Sequence, residues 1–249
     1  MSVVAGAASV RQAIGSLVVT PRPLAEYRDM FRLTEAGLRA GPILDCPGGA
    51  SPFGAQVRAR GGSVTSVDPA YRMSAEDLKR RVHQDIEHAA AWMRDHPDNF
   101  DWSYMGSPAA FTRSFRLAAE MFLMDYAPDD ARYVAASLPR LPFEDGAFGL
   151  SLCSHLLFCY PEHLGYTAHL ACLLELTRVT RHEVRVYPLV DTAGNPYARM
   201  SELRSELAVH GITTEVRRAH SQYVLGRDRM LVCRRGRTTR SRPATVRKR

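Results

Sequence analysis

The chain has 249 residues, of which 45% are hydrophobic and 24% are charged, and its formal net charge is +7 at pH 7. This length suits one sizeable domain with room for an insertion, and the composition is ordinary for a soluble globular protein. No apolar run approaches the ~18 residues that a membrane helix needs, and the N-terminus lacks the regions of a secretory signal. We therefore expect a cytoplasmic protein without membrane contact.

The cysteine pattern argues against a disulfide framework and against a zinc knuckle. The number of cysteines is odd and no C-x-x-C pair is present, so buried thiols are expected. Two histidines, His83 and His88, are five residues apart and would lie on different faces of a helix, which is poor zinc geometry. No metal site is expected. The five cysteines are Cys46, Cys153, Cys159, Cys172 and Cys233.

The positive charge is concentrated at the C-terminus. Residues 234–249 contain seven arginines, one lysine and no acid, so removing these eight charges from +7 leaves −1 for residues 1–233. We predict that 234–249 is a basic, disordered tail, and contact with a polyanion such as RNA or DNA is the alternative use of such a run.

The first elements follow an N-terminal extension predicted for residues 1–22. Apolar residues at helical spacing predict a helix between Pro23 and Leu38, and a first strand follows at Ile43–Asp45. After a second helix, a strand at Val64–Val67 ends at another acid, Asp68. Two strands that each end at an aspartate, with a helix between them, are typical of an α/β unit.

Residues 74–127 interrupt this alternation. Ser74 with Asp77 three positions later indicates a helix start, and the helix runs until Pro97. An aromatic-rich loop and a second helix follow. Two helices are more than the usual connection between parallel strands contains, so we predict an insertion that covers the ligand edge of the sheet. Aromatic residues in such a segment more often pack in a core than line a substrate pocket.

Strands and helices then alternate again up to a final antiparallel pair. Strands are predicted within 131–139, 148–158 and 182–190, helices within 164–179 and 195–211, and the pair within 213–220 and 228–235. This order predicts an α/β fold with a doubly wound, mostly parallel seven-stranded sheet whose last strand is antiparallel. Such sheets bind ligands at the carboxyl ends of their strands, where Asp45, Asp68, Ser137 and His155 fall.

The segment "ILDCPGGASPF" joins the first strand to the next helix by a glycine-rich turn. A turn of this kind exposes backbone N–H groups to a ligand. The dinucleotide fingerprint G-x-G-x-x-G is absent, so the segment alone is a weak signal for nucleotide binding.

Four segments, in order, resemble those of class I S-adenosylmethionine-dependent methyltransferases. They are "ILDCPGGASPF", "SVTSVDPAY", "AASLPRLPFEDGAFGLSLCSHLLF" and the closing helix and hairpin, and the likeness spans about residues 24–234, so the methyltransferase domain is expected at 23–233. The stretch "LPFEDGAF" is the most specific, because these enzymes commonly carry L-P-F-x-D-x-x-F there. The resemblance implies S-adenosylmethionine as the cofactor.

The resemblance also implies a set of cofactor-binding residues. Asp45 would lie near the methionine amino group, the turn after it would lie under the methionine and ribose, and Asp68 would accept hydrogen bonds from the ribose hydroxyls, as a carboxylate can from a cis-diol. Ser137 would face the adenine, and Cys153, Ser154 and His155 would line the floor under the methyl group. The full set is Asp45, Pro47, Gly48, Gly49, Ser51, Asp68, Pro69, Ser137, Leu138, Cys153 and Ser154.

The chain departs from the family pattern at three places. The G-x-G-x-G of the family becomes Pro47-x-Gly49-x-Ser51, Ser137 stands where many relatives have an aspartate, and Gly149 interrupts the usual "FD". We interpret these changes as features of a divergent subgroup, with loss of cofactor binding as the alternative.

The chemistry needs few side chains, because the cofactor carries the activated methyl group and the protein positions the acceptor. His155 is the candidate general base for an acceptor that must lose a proton, and a structural histidine bonded to backbone is the alternative. We expect a small-molecule acceptor methylated at oxygen or nitrogen. An RNA or protein methyltransferase that uses the basic tail, and a non-catalytic S-adenosylmethionine-binding protein, remain alternatives.

Overall fold

The computed structural model describes residues 17–221 and 228–236, and seven strands within them form one sheet in the order β3-β2-β1-β4-β5-β7-β6. The strands are β1 (Pro42–Asp45), β2 (Ser63–Val67), β3 (Tyr133–Val134), β4 (Phe148–Ser154), β5 (Thr180–Tyr187), β6 (Ile212–Arg218) and β7 (Arg229–Arg235).

The pairing is parallel from β3 through β5 and antiparallel on both sides of β7. β1 is central and pairs with β2 and β4, so that Leu44 lies opposite Thr65 and Ser151. β7 lies between β5 and β6 and pairs antiparallel with both. The predicted fold class is confirmed.

Helices cover both faces of the sheet, as alternate side chains of the central strands show. Ile43 packs in a cluster with Tyr27 and Phe53, whereas the next residue, Leu44, packs on the other face with Leu173. Strand side chains point alternately to opposite faces, so continuous apolar strands require cover on both sides. The helices are α1 (Leu24–Phe31), α2 (Glu35–Arg39), α3 (Phe53–Arg58), α4 (Ala75–Asp95), α5 (Trp102–Met105), α6 (Pro108–Asp125), α7 (Tyr166–Arg178) and α8 (Met200–Val209).

The helix predicted between Pro23 and Leu38 is two helices. Arg32, at the end of α1, has a left-handed backbone with φ of 53°, and Thr34 then caps α2 by accepting a hydrogen bond from the Gly37 N–H. The left-handed residue turns the chain, so Phe31 and Leu38 both reach the core from separate helices.

The insertion predicted for residues 74–127 consists mainly of α4 and α6, which pack against each other. Ser74 caps α4 through its Oγ, which accepts from the Asp77 N–H at 3.1 Å. Between the two helices lies a third apolar cluster that includes Val82, Phe115 and Phe122 and is continuous with Tyr71 after β2. The insertion therefore adds its own core beside the sheet.

The last strand includes the first residues of the predicted tail. β7 continues to Arg235, and Arg234 makes ion pairs with Glu183 and Glu215 on the neighbouring strands. Residues 237–249, the rest of the predicted tail, lie outside the part of the chain that the structure describes. All five cysteines are buried thiols, as expected.

In residues 17–221 and 228–236, none of the helices has both the length and the apolar character needed to cross a membrane.

Gly62 at the entry to β2 tests the packing of α2 on the sheet. A Cβ at this position would lie 2.3 Å from the Leu38 carbonyl oxygen and 2.6 Å from Val57 Cγ1. We expect Gly62→Ala to lower the free energy of unfolding by about 2–3 kcal/mol in urea titrations, because backbone must move to relieve the overlap.

Gly41 is the matched control, because a Cβ there meets nothing within 4 Å. Gly41→Ala should leave the stability unchanged or raise it by about 0.5 kcal/mol. Equal effects of the two substitutions would contradict the packing seen at Gly62.

Candidate active site

A cavity of about 480 Å³ opens at the carboxyl ends of β1, β2 and β4. This is the edge at which a parallel α/β sheet binds its ligands. Nine of the predicted cofactor-binding and catalytic residues line it, namely Pro47, Gly48, Gly49, Asp68, Pro69, Ser137, Leu138, Ser154 and His155.

The glycine-rich turn after β1 forms one wall of the cavity and is fastened to β2. The Gly48 N–H donates to the Val67 carbonyl oxygen at 2.8 Å, and the Gly49 N–H donates to Asp68 Oδ2 at 3.0 Å. Gly49 has φ of +53°, a left-handed conformation that glycine adopts without strain. The turn thus follows the end of the neighbouring strand.

Asp68 sits at the centre of this wall. Its other oxygen, Oδ1, accepts from the Ala70 N–H at 2.9 Å, so each carboxylate oxygen holds one backbone donor and keeps a lone pair for a ligand. Burial raises the pKa of Asp68, and the two backbone N–H groups oppose that rise only in part. The arrangement orients both oxygens before a ligand binds.

Asp45 lies behind the turn and does not line the cavity. Its side chain is fully buried and accepts hydrogen bonds from the Tyr27 hydroxyl at 2.9 and 3.2 Å. Burial raises the pKa of Asp45 well above its usual value, the Tyr27 hydrogen bond lowers it, and the charge of Asp68 raises it further. Among the described residues, no cationic side chain bonds to Asp45, so its charge is not neutralised locally.

His155 follows β4 in a strained backbone conformation. Its φ is +50°, and its N–H donates to the Tyr187 carbonyl oxygen at 2.7 Å. Nδ1 lies 2.9 Å from Ser154 Oγ, and the ring meets Tyr187 edge-on at 5.4 Å. A left-handed histidine costs energy and persists where the surroundings enforce it, which occurs most often at functional sites.

Ser137 and Leu138 form the opposite wall, after β3. β3 is shorter than the predicted third strand and ends at Val134, so these residues lie on a tight turn closed by an isolated bridge between Ser137 and Arg140. Ser137 is exposed on the cavity side, and its hydroxyl is a polar group that an adenine edge could use.

No protein-family model matches the chain. It is similar to the uncharacterized protein MJ0045 of Methanocaldococcus jannaschii, with 26% identity over 219 residues that cover 88% of this chain and 96% of that protein.

Several solved structures share the architecture at low sequence identity. CcbJ methyltransferase from Streptomyces caelestis is 14% identical, covers 87% of this chain and 91% of its own, and gives a TM-score of 0.47. Magnesium protoporphyrin IX methyltransferase from Synechocystis PCC 6803, with bound SAM, is 12% identical, covers 86% of this chain and 76% of its own, and gives 0.43. TM-scores of this size do not indicate an activity for this chain.

The strand order decides the fold. An antiparallel β7 between β5 and β6, at the end of an otherwise parallel sheet, separates this topology from that of dinucleotide dehydrogenases. The chain has the class I methyltransferase fold. The assignment rests on the strand order rather than on the structural likenesses.

Besides Asp45, two residues that the class I methyltransferase resemblance implied lie outside the cavity. Ser51 Oγ donates to the Arg22 carbonyl oxygen at 2.5 Å and accepts from the Phe53 N–H, so it holds the turn and the chain before α1. Cys153 is fully buried in the apolar cluster under the sheet, because it points to the face opposite Leu152. Neither side chain is available to a ligand in this conformation.

The segment Leu17–Arg22, which we call the strap, was missed as a site element because it was assigned to the N-terminal extension. It lines the cavity, and its Val19 N–H donates to Asp85 Oδ2 of α4 at 2.7 Å. A Cβ on Gly49 would lie 3.0 Å from the Thr20 carbonyl oxygen, so the strap runs directly over the glycine turn. The apolar run from Leu17 to Val19 was the signal that could have indicated a packed segment.

The buried Asp45 predicts a stability change with pH of defined sign. Because its folded pKa is raised, the protonated form is favoured in the folded protein, and stability falls as the pH rises above the usual value of 3.8. We expect the difference in unfolding free energy between Asp45→Asn and wild type to shift in favour of the variant from about pH 4 to neutrality. Denaturant titrations at successive pH values measure this.

Asp130 gives a control of opposite sign, because hydrogen bonds from Arg132 lower its pKa. Asp130→Asn should lose stability relative to wild type as the pH rises toward the usual value of 3.8, and the difference should then stay constant up to neutrality. A pH-independent difference for Asp45→Asn would contradict the burial of an uncompensated carboxyl.

Proposed function

We propose that the protein is an S-adenosylmethionine-dependent methyltransferase that transfers a methyl group to an oxygen or nitrogen of a small molecule. The observation that carries the proposal is the pair of Asp68 oxygens, held by the Gly49 and Ala70 N–H groups at the cavity wall beside the glycine turn. A carboxylate held in this way can accept both hydroxyls of a ribose.

The shape and charge of the cavity support the same cofactor. Its volume of about 480 Å³ falls in the usual range for ligand pockets, and Asp68, Ser137 and Ser154 are polar groups spaced around a largely apolar wall. S-adenosylmethionine has a cationic ammonium and a sulfonium, and a positive charge bound beside the turn would favour the ionised form of the buried Asp45 carboxyl.

The bound cofactor would supply an activated methyl group on sulfur. The chain's own residues hold and orient the reactants, and the strap and insertion keep water out. His155 stands between the cofactor cavity and the insertion, where its imidazole can take the proton of a hydroxyl acceptor. A neutral amine acceptor would need no such base.

A small acceptor is favoured over a macromolecule by the cover on the cavity. The strap and the insertion helices both border the space next to His155, and Arg81 of α4 donates to the Leu17 carbonyl oxygen at 3.0 Å to fasten the two together.

Contact of residues 234–249 with a polyanion stays a prediction, and within that run Arg234 is already bonded to Glu183. A non-catalytic cofactor-binding protein remains the alternative that calorimetry tests.

Calorimetry with S-adenosylmethionine and S-adenosylhomocysteine tests the cofactor assignment. We expect both to bind wild type, and Asp68→Ala to weaken binding by about thirtyfold or more, since loss of hydrogen bonds to a charged group costs about 2 kcal/mol. Asp129→Ala, which removes an exposed carboxyl outside the cavity, is the control and should bind as wild type does. Absence of heat with either ligand on folded wild type would refute the proposal.

His155→Asn tests the general base, because asparagine tolerates the left-handed backbone at this position. With a phenolic acceptor we expect the rate of S-adenosylhomocysteine release to fall by about 10²–10⁴, and the acid limb of the pH–rate profile to disappear. Affinity for S-adenosylhomocysteine should stay within about threefold of wild type. His163→Asn, beside Glu162 and outside the cavity, serves as control, and equal rates for all three proteins would exclude a base role for His155.

A further inference from the structure

A second, smaller cavity of about 70 Å³ lies beside the first, under the insertion. Five residues border both cavities, so the two meet at the strap and His155. The shared residues are Val18, Thr20, Arg22, His155 and Tyr160. A molecule in the small cavity therefore lies next to His155, which follows β4.

The insertion side of the small cavity is aromatic. Trp92 of α4 meets Phe100 edge-on at 5.6 Å, and Phe111 and Phe115 of α6 lie 4.0 Å apart between ring centroids. Aromatic rings prefer tilted and edge-to-face neighbours, which such a wall offers to a further flat ring.

The charge of the small cavity is balanced. Of its described lining residues, Arg22 alone carries a permanent charge, and its guanidinium bonds to Glu26 at 2.8 Å and lies 5.4 Å from the centroid of Phe115. Because Glu26 already forms an ion pair with Arg22, the cavity favours a neutral ligand over an anion.

The size of the small cavity limits what it can take. Its volume is roughly half of the 150 Å³ that holds a benzene molecule in an apolar protein cavity. A single ring would enter only in part, and its substituted end would project toward His155 and the larger cavity. Two fused rings would not fit without movement of the insertion.

We propose that the small cavity binds the ring of a neutral, one-ring aromatic acceptor, a phenol or an aniline, with its oxygen or nitrogen directed toward His155. The assignment deepens the proposed function and rests on it for the transfer step. In that step the phenol oxygen bonds to the methyl carbon as the carbon–sulfur bond breaks, sulfur leaves as a neutral thioether, and the phenol proton passes to the imidazole.

Ala89 provides the test, because it lines the small cavity from α4 and does not line the larger one. Ala89→Leu should fill the space with little cost to the helix. Ala91→Leu is the matched control, since Ala91 is also partly buried on α4, two positions further along, and lines neither cavity. Phenol is the probe, and saturation-transfer NMR with titration measures its binding to the full chain.

We expect phenol to bind wild type and Ala91→Leu with a Kd on the order of 1 mM, and Ala89→Leu at least tenfold more weakly. Equal binding to both variants, or no binding to wild type, would overturn the assignment. Cyclohexanol and benzoate test aromaticity and neutrality, and either one binding as well as phenol would overturn that part of the proposal.

Affinity for S-adenosylhomocysteine, measured on the same three proteins, separates this proposal from the proposed function. We expect it to be unchanged by either leucine. If S-adenosylhomocysteine fails to bind while the phenol pattern holds, the methyltransferase proposal fails and the aromatic site stands. If S-adenosylhomocysteine binds and the phenol pattern is absent, only the acceptor assignment fails. Should Ala89→Leu unfold at a lower temperature than Ala91→Leu, the valine variants of both positions replace them.

Discussion

The hydrogen bond from the Gly49 N–H to the Asp68 carboxylate is the contact on which the candidate site depends. It joins the turn after β1 to the end of β2, and the Ala70 N–H completes the orientation of the same carboxylate. Tyr71 strengthens the connection, because its hydroxyl donates to the Gly49 carbonyl oxygen at 2.8 Å and its ring packs on the insertion. The ends of β1 and β2, the cavity wall and the insertion are therefore joined by hydrogen bonds and side-chain packing.

Burying Asp45 and Asp68 next to each other at this edge lowers the stability of the folded protein. Other interactions in the fold offset that loss. Burial raises the pKa of both Asp45 and Asp68, and the charge of Asp68 raises the pKa of Asp45 further. Carboxyls with raised pKa values lower the stability of the folded protein at neutral pH, which is typical of groups retained for a ligand. The strained backbone of His155, across the same cavity, belongs to this pattern.

The sequence predicted much of this arrangement and failed at identifiable points. The succession of strands along the chain, the final antiparallel pair and the helical insertion follow from apolar periodicity and turn residues, which are local properties. The break between α1 and α2 was missed because a left-handed Arg32 has no sequence signature of its own. Ser51 and Cys153 were assigned to the ligand from a motif, whereas their orientation depends on what each strand and turn packs against.

The sequence by itself determined that two strands end in aspartates beside a glycine-rich turn, in the order that gives a class I methyltransferase sheet. The tertiary structure decided which of those groups face a ligand. It placed Asp45 behind the turn and Asp68 at the wall, and it brought the strap and the insertion over both cavities. The physical reason is that strand ends follow from local pattern, whereas cavity walls form from segments far apart in the chain whose contacts exist only after the sheet has assembled.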